Sequence, residues 1–362
     1  MKRKIIIAID SFKGSLTSTE AETAVAEALH DALDDVETLC LPMSDGGEGM
    51  AETFTQALGG KLITTYVHDP MMRRISTVFG VTPDGTAIIE AAKACGLTLV
   101  KEEERNPMRA TSYGVGELVA AAVKRGCRKF IVGLGGSGTS DAGIGMLKAL
   151  TDILTKRGQT FDDALRGVLG ECSFTLACDV SNPLLGPDGA TAVFALQKGA
   201  TPLMLPMLEQ RAQRFARASA AHFGFDRSSQ PGAGAAGGLG YAFMQYLSAE
   251  QKPGADLLLD LLHFDDAVSG ATAVITGEGH ADRQTLMGKL PQRVMLRAAR
   301  QNVPTWLIAG RVDDCKEMSG AGFAKAVSTT PDGADLSEAM KKETAIANIA
   351  LAVRQLVSDI KE

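Results

Sequence analysis

Aromatic side chains are scarce in this chain. Trp occurs once, Tyr four times and Phe 13 times, together 5% of the residues, so stacking platforms for single-stranded nucleic acid are not expected. Basic charge is not in excess either. The chain carries 37 Lys and Arg against 43 Asp and Glu, a net charge of −6 at pH 7, and its pI is near 5.5. That excludes the electrostatic footprint of a protein that binds nucleic acid or an anionic membrane surface. An anionic substrate must therefore be held by local charge. No uninterrupted apolar run reaches the roughly 18 residues of a membrane span. The start, Met1-Lys2-Arg3-Lys4 followed by Ile5-Ile6-Ile7-Ala8-Ile9, imitates a signal peptide, but the run stops at Asp10 with no small-residue cleavage site. The six cysteines show no CxxC spacing, which predicts reduced thiols in a cytoplasmic protein. The five histidines stand apart from one another, so the ligand clusters of a zinc site are missing.

Glycine, in contrast, is abundant: 39 of 362 residues. Its excess lies in loops and not in repeats, which implies tight backbone turns. The hydrophobic fraction is 45% with a mean hydropathy of +0.04, as in an ordinary globular chain with a sizeable core. Four times an apolar, strand-like run leads into a loop of Gly, Ser and Asp. These loops are Asp10-Ser11-Phe12-Lys13-Gly14-Ser15, Ser44-Asp45-Gly46-Gly47-Glu48-Gly49, Gly133-Leu134-Gly135-Gly136-Ser137-Gly138-Thr139-Ser140-Asp141 and Gly277-Glu278-Gly279-His280-Ala281-Asp282. Such loops expose backbone N–H groups to phosphate and hold carboxylates suited to Mg²⁺. Four of them, each with an acid, point to phosphoryl transfer.

Periodicity predicts a strand over 5–9, a helix over 18–33 with Ser18 as its N-cap, a strand over 37–42 and a helix over 50–58. This βαβα opening belongs to a doubly wound sheet. From 61 to 90 short runs separated by Asp69-Pro70 and Pro83-Asp84-Gly85 read as antiparallel hairpins. Further strands are expected at 130–132, 174–177 and 191–194, with a helix over 116–124. The βα rhythm returns with strands at 273–276, 305–309 and 324–328 and helices at 292–300 and 337–358. Two strands at the start and three at the end make a five-stranded flavodoxin-like sheet. The expected organisation is a discontinuous α/β domain of residues 1–66 and 268–362, interrupted by a mixed α/β domain of residues 67–267.

The loops supply the candidate site residues. Asp10, Ser11 and Lys13 follow the first strand at its carboxyl end, where α/β sheets bind ligands. Lys13 suits a phosphate or a carboxylate as a point charge, although a solvated lysine in a strand-to-helix turn would look the same. Asp45, Gly46, Gly47 and Glu48 repeat that placement after the second strand. Asp45 and Glu48 are candidate Mg²⁺ ligands, with Glu48 equally readable as a charge at a helix N-terminus. Gly133-x-Gly135-x-x-Gly138 matches a dinucleotide fingerprint in form, but Asp152 falls in a helical stretch where an acid ending a second strand would be needed. Gly135, Gly136, Ser137, Thr139 and Asp141 suit phosphate and metal better, though Ser137 and Thr139 also serve simply as turn formers. In the last loop Gly277, Glu278, Asp282 and Lys289 are candidates, Asp282 as a base and Glu278 or Asp282 as metal ligands. The chain has no GxxxxGK[ST]. Pro231-Gly232-Ala233-Gly234-Ala235-Ala236-Gly237-Gly238-Leu239-Gly240 is either a ligand cover or a close-packing segment. Glu90, Asp179 and Lys198 are lesser candidates.

These motifs together resemble the type I (bacterial) glycerate kinases along almost the whole chain. The resemblance rests on Asp10-Ser11-Phe12-Lys13-Gly14-Ser15, Asp45-Gly46-Gly47-Glu48-Gly49, Ile89-Glu90-Ala91-Ala92, Arg105-Asn106-Pro107 and Tyr113-Gly114-Val115-Gly116-Glu117-Leu118. It continues through Ala177-Cys178-Asp179-Val180-Ser181-Asn182-Pro183-Leu184, Gln197-Lys198-Gly199-Ala200, the glycine-rich stretch from Pro231, Ile275-Thr276-Gly277-Glu278-Gly279, Asp282, Gln284-Thr285 and Gly288-Lys289. It implies ATP-dependent phosphorylation of D-glycerate with 2-phosphoglycerate as product, Mg²⁺ as cofactor, and a flavodoxin-like domain with an inserted restriction-endonuclease-like domain. Under it, Asp45 or Asp282 is the base or a metal ligand, Lys13 contacts substrate or phosphate, and Gly135 through Thr139 forms a phosphate loop. The chain departs from the family pattern at Gly138-Thr139-Ser140-Asp141, where Ala-Thr-Asn-Asp is usual, at His280, where Arg is usual, and at Gln292-Arg293. An NAD-linked oxidoreductase and a non-catalytic nucleotide sensor are the alternatives that the loops alone leave open.

Overall fold

The computed structural model describes every residue except Met1, Asp45, Gly46, Glu48, Asp332 and residues 358–362. Its strands are β1 (Arg3–Ile9), β2 (Val36–Cys40), β3 (Lys61–His68), β4 (Arg74–Val81), β5 (Thr86–Glu90), β6 (Lys129–Gly133), β7 (Ser173–Ala177), β8 (Glu250–Lys252), β9 (Ala273–Ala281), β10 (Thr305–Val312) and β11 (Lys325–Ser328). They form two sheets, β11-β10-β9-β1-β2 and β3-β4-β5-β6-β7-β8. The chain divides accordingly into one unit of Met1–Asp45 with Ala255–Glu362 and another of Gly46–Gly254. The divisions fall at 45/46 and 254/255, where the sequence placed them at 66/67 and 267/268. β3 pairs along its length with β4, from Lys61 opposite Val81 to His68 opposite Arg74, so it shares the second sheet.

The first sheet is parallel throughout. Counted along the chain its order is 2-1-3-4-5, that of flavodoxin-like folds, with the reversal between β1 and β9. Ile5, Ile6, Ile7, Ala8 and Ile9 are all fully buried, as expected for a central strand covered on both faces. The helix Ser18–Ala32 begins where the sequence suggests, but its N-cap is one residue earlier than the expected Ser18. Thr17 is the N-cap and forms a capping box with Glu20. Ser18 instead ties the helix to the sheet, its hydroxyl donating to the Ile9 carbonyl at 2.7 Å and accepting the Met43 N–H at 2.8 Å. Ala21, Val25 and Leu29 pack with Ile349 and Val353 of the C-terminal helix Lys342–Val357.

The second sheet is antiparallel from β3 to β5 and parallel from β5 to β8. The hairpin between β3 and β4 turns on Asp69, whose Oδ1 accepts the N–H groups of Met71 and Arg73. Phe130 stacks on Phe174 with ring centroids 4.6 Å apart, and Phe243 tilts against Phe174 from the helix Ala235–Leu247. The apolar run at 191–194 is not a strand. It is the helix Ala190–Phe194, because Gly189 and Thr191 accept i+4 hydrogen bonds from Val193 and Ala195. The glycine-rich stretch from Pro231 proves to be a close-packing segment. A Cβ on Gly237 would stand 1.9 Å from the Thr139 carbonyl oxygen, and the Gly237 carbonyl accepts the Ala142 N–H at 3.0 Å.

One buried acid sets a pH dependence. Glu22 accepts the Ile9 N–H at 3.1 Å through Oε1, while Oε2 has no hydrogen-bond partner among the described residues. Burial raises its carboxyl well above the ordinary 4.5, and the Ile9 bond only partly opposes this. An acid whose folded pKa is raised holds its proton more tightly in the folded state, so its contribution to stability is lost as pH rises above the unfolded value. The wild type should therefore lose stability relative to Glu22→Gln as pH rises above the ordinary carboxylate range in denaturant titrations. Parallel pH profiles for the two proteins would contradict this.

Candidate functional site

The carboxyl edge of the first sheet gathers most of the expected residues of that unit. At the reversal, the Asp10 N–H donates to the Gly277 carbonyl at 2.9 Å, which places the ends of β1 and β9 side by side. Asp10 Oδ1 accepts the Ser11 N–H at 2.7 Å. The next residues close a tight turn through Ser15 N to Phe12 O, with Gly14 at φ +78°. This turn leaves Lys13 exposed.

β9 continues beyond its expected end at Thr276. Glu278, His280 and Ala281 pair with Ala309, Arg311 and Val312 of β10, so Gly277, Glu278 and Gly279 are strand residues and not loop residues. Gly277 is required for close packing, because a Cβ there would lie 2.1 Å from the Ile308 carbonyl oxygen. Asp10, Ser11, Lys13, Glu278, His280, Lys289, Arg311 and Asp313 line one cavity of about 820 Å³, a size typical of small-molecule sites. Phe12, Leu290, Leu336 and Met340 form an apolar flank.

Glu278 is the carboxyl at the centre of this edge, with 12% of its side chain exposed. Thr285 Oγ1 donates to its Oε1 at 2.6 Å, and Lys289 Nζ stands 3.7 Å from its Oε2. Burial raises its pKa. The Thr285 hydroxyl, Lys289 and Lys13 oppose the rise and Asp282 adds to it. Asp282 caps the 3₁₀ turn Arg283–Met287, its Oδ1 accepting Gln284 N–H at 2.8 Å and Thr285 N–H at 3.3 Å. The same oxygen is 3.6 Å from Lys289 Nζ. Gln284 is exposed and takes part here through its backbone. At the other side of the cavity Asp313 Oδ1 pairs with His280 Nε2 at 2.8 Å and with Arg311 Nε at 3.2 Å. The hydrogen bond from His280 holds the Asp313 carboxyl below its usual range.

Arg311 and Asp313 were missed in the sequence. Their signal is Gly310-Arg311-Val312-Asp313 directly after the apolar run of β10, the same strand-then-glycine pattern as in the four glycine-rich loops. Asp45, Gly46 and Glu48 lie outside the described residues. Gly47 is described, and its carbonyl accepts the Met50 N–H at 3.2 Å.

The loop after β6 holds the expected residues of the second unit. Residues 136–138 pair with 95–97 through Leu97 N to Gly136 O and Gly138 N to Cys95 O. A Cβ on Gly138 would lie 3.1 Å from the Leu97 Cα, and Gly136 takes φ +71°. Chain packing thus accounts for two of the glycines without a dinucleotide. Asp141 does not fit a metal. Its Oδ2 accepts from Ser112 N at 2.8 Å, Ser112 Oγ at 2.9 Å and Gly145 N at 3.1 Å, and its Oδ1 accepts from Gly143 N at 3.1 Å. Both oxygens are occupied by donors that tie the helix Tyr113–Lys124 to the start of the helix Ile144–Leu154. Ser137 Oγ and the Thr139 carbonyl accept from the buried Lys198 Nζ. Gly136 borders a cavity of about 720 Å³ with Glu90, Lys93 and Thr98. Glu90 is buried, which raises its carboxyl. Among the described residues no group of three or more His, Cys, Asp or Glu is arranged around a metal position, and no helix is long and apolar enough to cross a membrane.

The model of the glycerate kinase family matches residues 5–361. A glycerate kinase of Haemophilus influenzae is 42% identical over 327 residues, covering 85% of each chain. One from Bacillus subtilis is 38% identical over 99% of this chain and 98% of its own, and a glycerate 2-kinase of Escherichia coli is 35% identical with the same coverage. The crystal structure of a protein designated glycerate kinase 2, from Salmonella typhimurium LT2, superposes with a TM-score of 0.86 at 34% identity, covering 100% of this chain and 99% of its own.

Because Asp141 spends both oxygens on buried donors, Asp141→Ala should destabilise the protein by roughly 3 kcal/mol or more in denaturant titration. A loss of less than about 1 kcal/mol would mean that the carboxylate is not a structural tie.

Proposed function

The chain belongs to the glycerate kinase family, and on that premise we propose that it transfers the γ-phosphoryl group of ATP to D-glycerate at the carboxyl edge of its first sheet. The observation that carries this site is the buried Glu278 beside Lys289, in a cavity also lined by Lys13, His280 and Arg311. Cations of this number suit a triphosphate, and the apolar flank suits a purine.

The glycerate hydroxyl oxygen attacks the γ-phosphorus, forming one P–O bond as the bond to the ADP oxygen breaks. Glu278 receives the hydroxyl proton. Burial raises its carboxyl, which moves it towards the range of a general base at neutral pH. Lys289 and Lys13 neutralise charge on the phosphoryl oxygens, so the rate gain is one of position and electrostatics. Asp282 holds the 3₁₀ turn and steadies Lys289, and is a weaker choice for the base than Glu278. Mg²⁺ fits Asp10, a carboxylate that lines the cavity, since this ion usually takes one or two protein carboxylates plus phosphates. When bound it supplies neutralisation of the triphosphate charge. The hydroxyl on C2 is the proposed acceptor, in keeping with the name of the Escherichia coli relative.

ADP release from Mg-ATP should require D-glycerate over L-glycerate, and phosphorus NMR should show 2-phosphoglycerate. Glu278→Gln should lower kcat by about 10²–10⁴ while ADP still binds. Turnover without D-glycerate preference would refute the acceptor, and near-normal kcat in the variant would remove Glu278 as the base.

A further inference from the structure

Lys289 enters the cavity of the first unit in a direction that its own ionic contacts do not fix. Its ammonium stands 3.7 Å from Glu278 Oε2 and 3.6 Å from Asp282 Oδ1, well beyond the roughly 2.7–2.9 Å of a charge-assisted hydrogen bond. With 40% of the side chain exposed, contacts of this length hold a lysine loosely. The residue before it adds no direction of its own. Gly288 takes φ +98°, and glycine restricts the chain that follows it less than any other residue. The placement is also unfavourable for the helix Leu290–Ala299. Lys289 is its N-cap and makes no side-chain capping bond, and a cation at a helix N-terminus opposes the macrodipole.

Gly288 is instead held on both sides by side chains that reach back from that helix. Gln292 Oε1 accepts the Gly288 N–H at 2.7 Å. Arg293 Nε donates to the Gly288 carbonyl at 2.5 Å. The guanidinium is itself anchored, because Nη1 donates to Asp256 Oδ2 on the helix Gly254–Leu261. One residue further, the Lys289 carbonyl accepts the Arg293 N–H at 3.2 Å. A peptide unit is planar, so fixing its carbonyl fixes the bond to the next Cα. The units before and after the Lys289 Cα are both tied in this way. Lys289, Leu290 and Pro291 line the cavity, whereas Gln292 and Arg293 are not among its lining residues. Any effect they have on a ligand must pass through the residues in front of them.

We propose that Arg293 and Gln292 are positioning residues that aim the Lys289 ammonium into the cavity through the Gly288 peptide, with Asp256 as the anchor of Arg293. The inference rests on the kinase reading only for the ligand that Lys289 meets, the phosphoryl oxygens of the nucleotide. A lysine stem is flexible, and ordering it on binding lowers affinity. A backbone fixed beforehand removes part of that cost and delivers the charge to one place.

The test uses the full chain in two arms. In the first, ¹⁵N relaxation of the ligand-free protein follows the Gly288 and Lys289 amides. Their order parameters should be about 0.85 in the wild type and fall towards about 0.6 in Arg293→Met and in Gln292→Met. Gln292→Glu keeps the acceptor and should keep the rigidity. In the second arm, calorimetry measures Mg-ADP binding to the wild type, Arg293→Met, Lys289→Met and the double variant. Arg293→Met alone should weaken binding about tenfold, and should add nothing once Lys289 is replaced.

Amides that stay rigid in Arg293→Met and Gln292→Met would overturn the proposal. So would unchanged affinity in Arg293→Met beside a weakened Lys289→Met. A full further loss from Arg293→Met in the Lys289→Met background would do the same, since a general structural role predicts independent effects. Where Arg293→Met does not fold, Gln292→Met carries both arms against Gln292→Glu. Lost rigidity together with an affinity that Lys289→Met leaves unchanged would keep the positioning role and refute the placement of the nucleotide.

Discussion

The pairing of β1 with β9 is the constraint on which the first unit depends. These strands are remote in sequence, yet Ile5 lies opposite Ala273 and Ile9 opposite Gly277 in a regular parallel register. At this pair the strand order reverses, and the following segments leave to opposite sides of the sheet, which opens a crevice at the carboxyl ends. The register therefore decides what faces what. Asp10 continues from β1 beside Gly277, and Glu278 follows one residue later on β9. Gly277 holds that register, because any side chain there would collide with the Ile308 carbonyl.

Around this pair the chain concentrates unlike charges in one small volume. Lys13, Lys289, His280 and Arg311 share a cavity with Glu278 and Asp10. The contacts between Lys289 and its two carboxylates are long, 3.6 and 3.7 Å, and much of the lysine remains open to solvent. Such a cation is available to a ligand at small cost, since exposed pairs of this kind contribute little to stability. Glu278 differs in being shielded, and burial raises its carboxyl, which on the proposed reading suits it to accept the substrate proton.

Much of this was legible in the sequence because parallel strands and their loops have strong local signatures. The run Ile5-Ile6-Ile7-Ala8-Ile9 followed by Asp10 could only be a buried strand ending at a polar edge, and the three late strands follow the same pattern. The loop candidates Asp10, Lys13, Glu278 and Lys289 were found this way, and they share one cavity. What stayed hidden depends on partners distant in the chain. The extension of β9 through Ala281 requires β10 as its neighbour, so Glu278 read as a loop residue. The apolar segment at 191–194 read as a strand because its i+4 hydrogen bonds are not visible in side-chain type. Asp141 looked like a metal ligand, but four donors from Ser112, Gly143 and Gly145 had already claimed it. Lys198 was only a lesser candidate and Arg211 gave no signal, because the Thr139 and Ser140 carbonyls to which they donate lie far away in the chain.

Everything proposed for catalysis requires the nucleotide to meet the first unit at the β1–β9 edge. Calorimetric binding of Mg-ADP to the wild type and to Lys289→Met tests this most directly. An at least tenfold weaker affinity is expected in the variant, with an unchanged unfolding temperature. Equal affinity in the two proteins would contradict that placement and move the triphosphate away from Glu278 and Lys289.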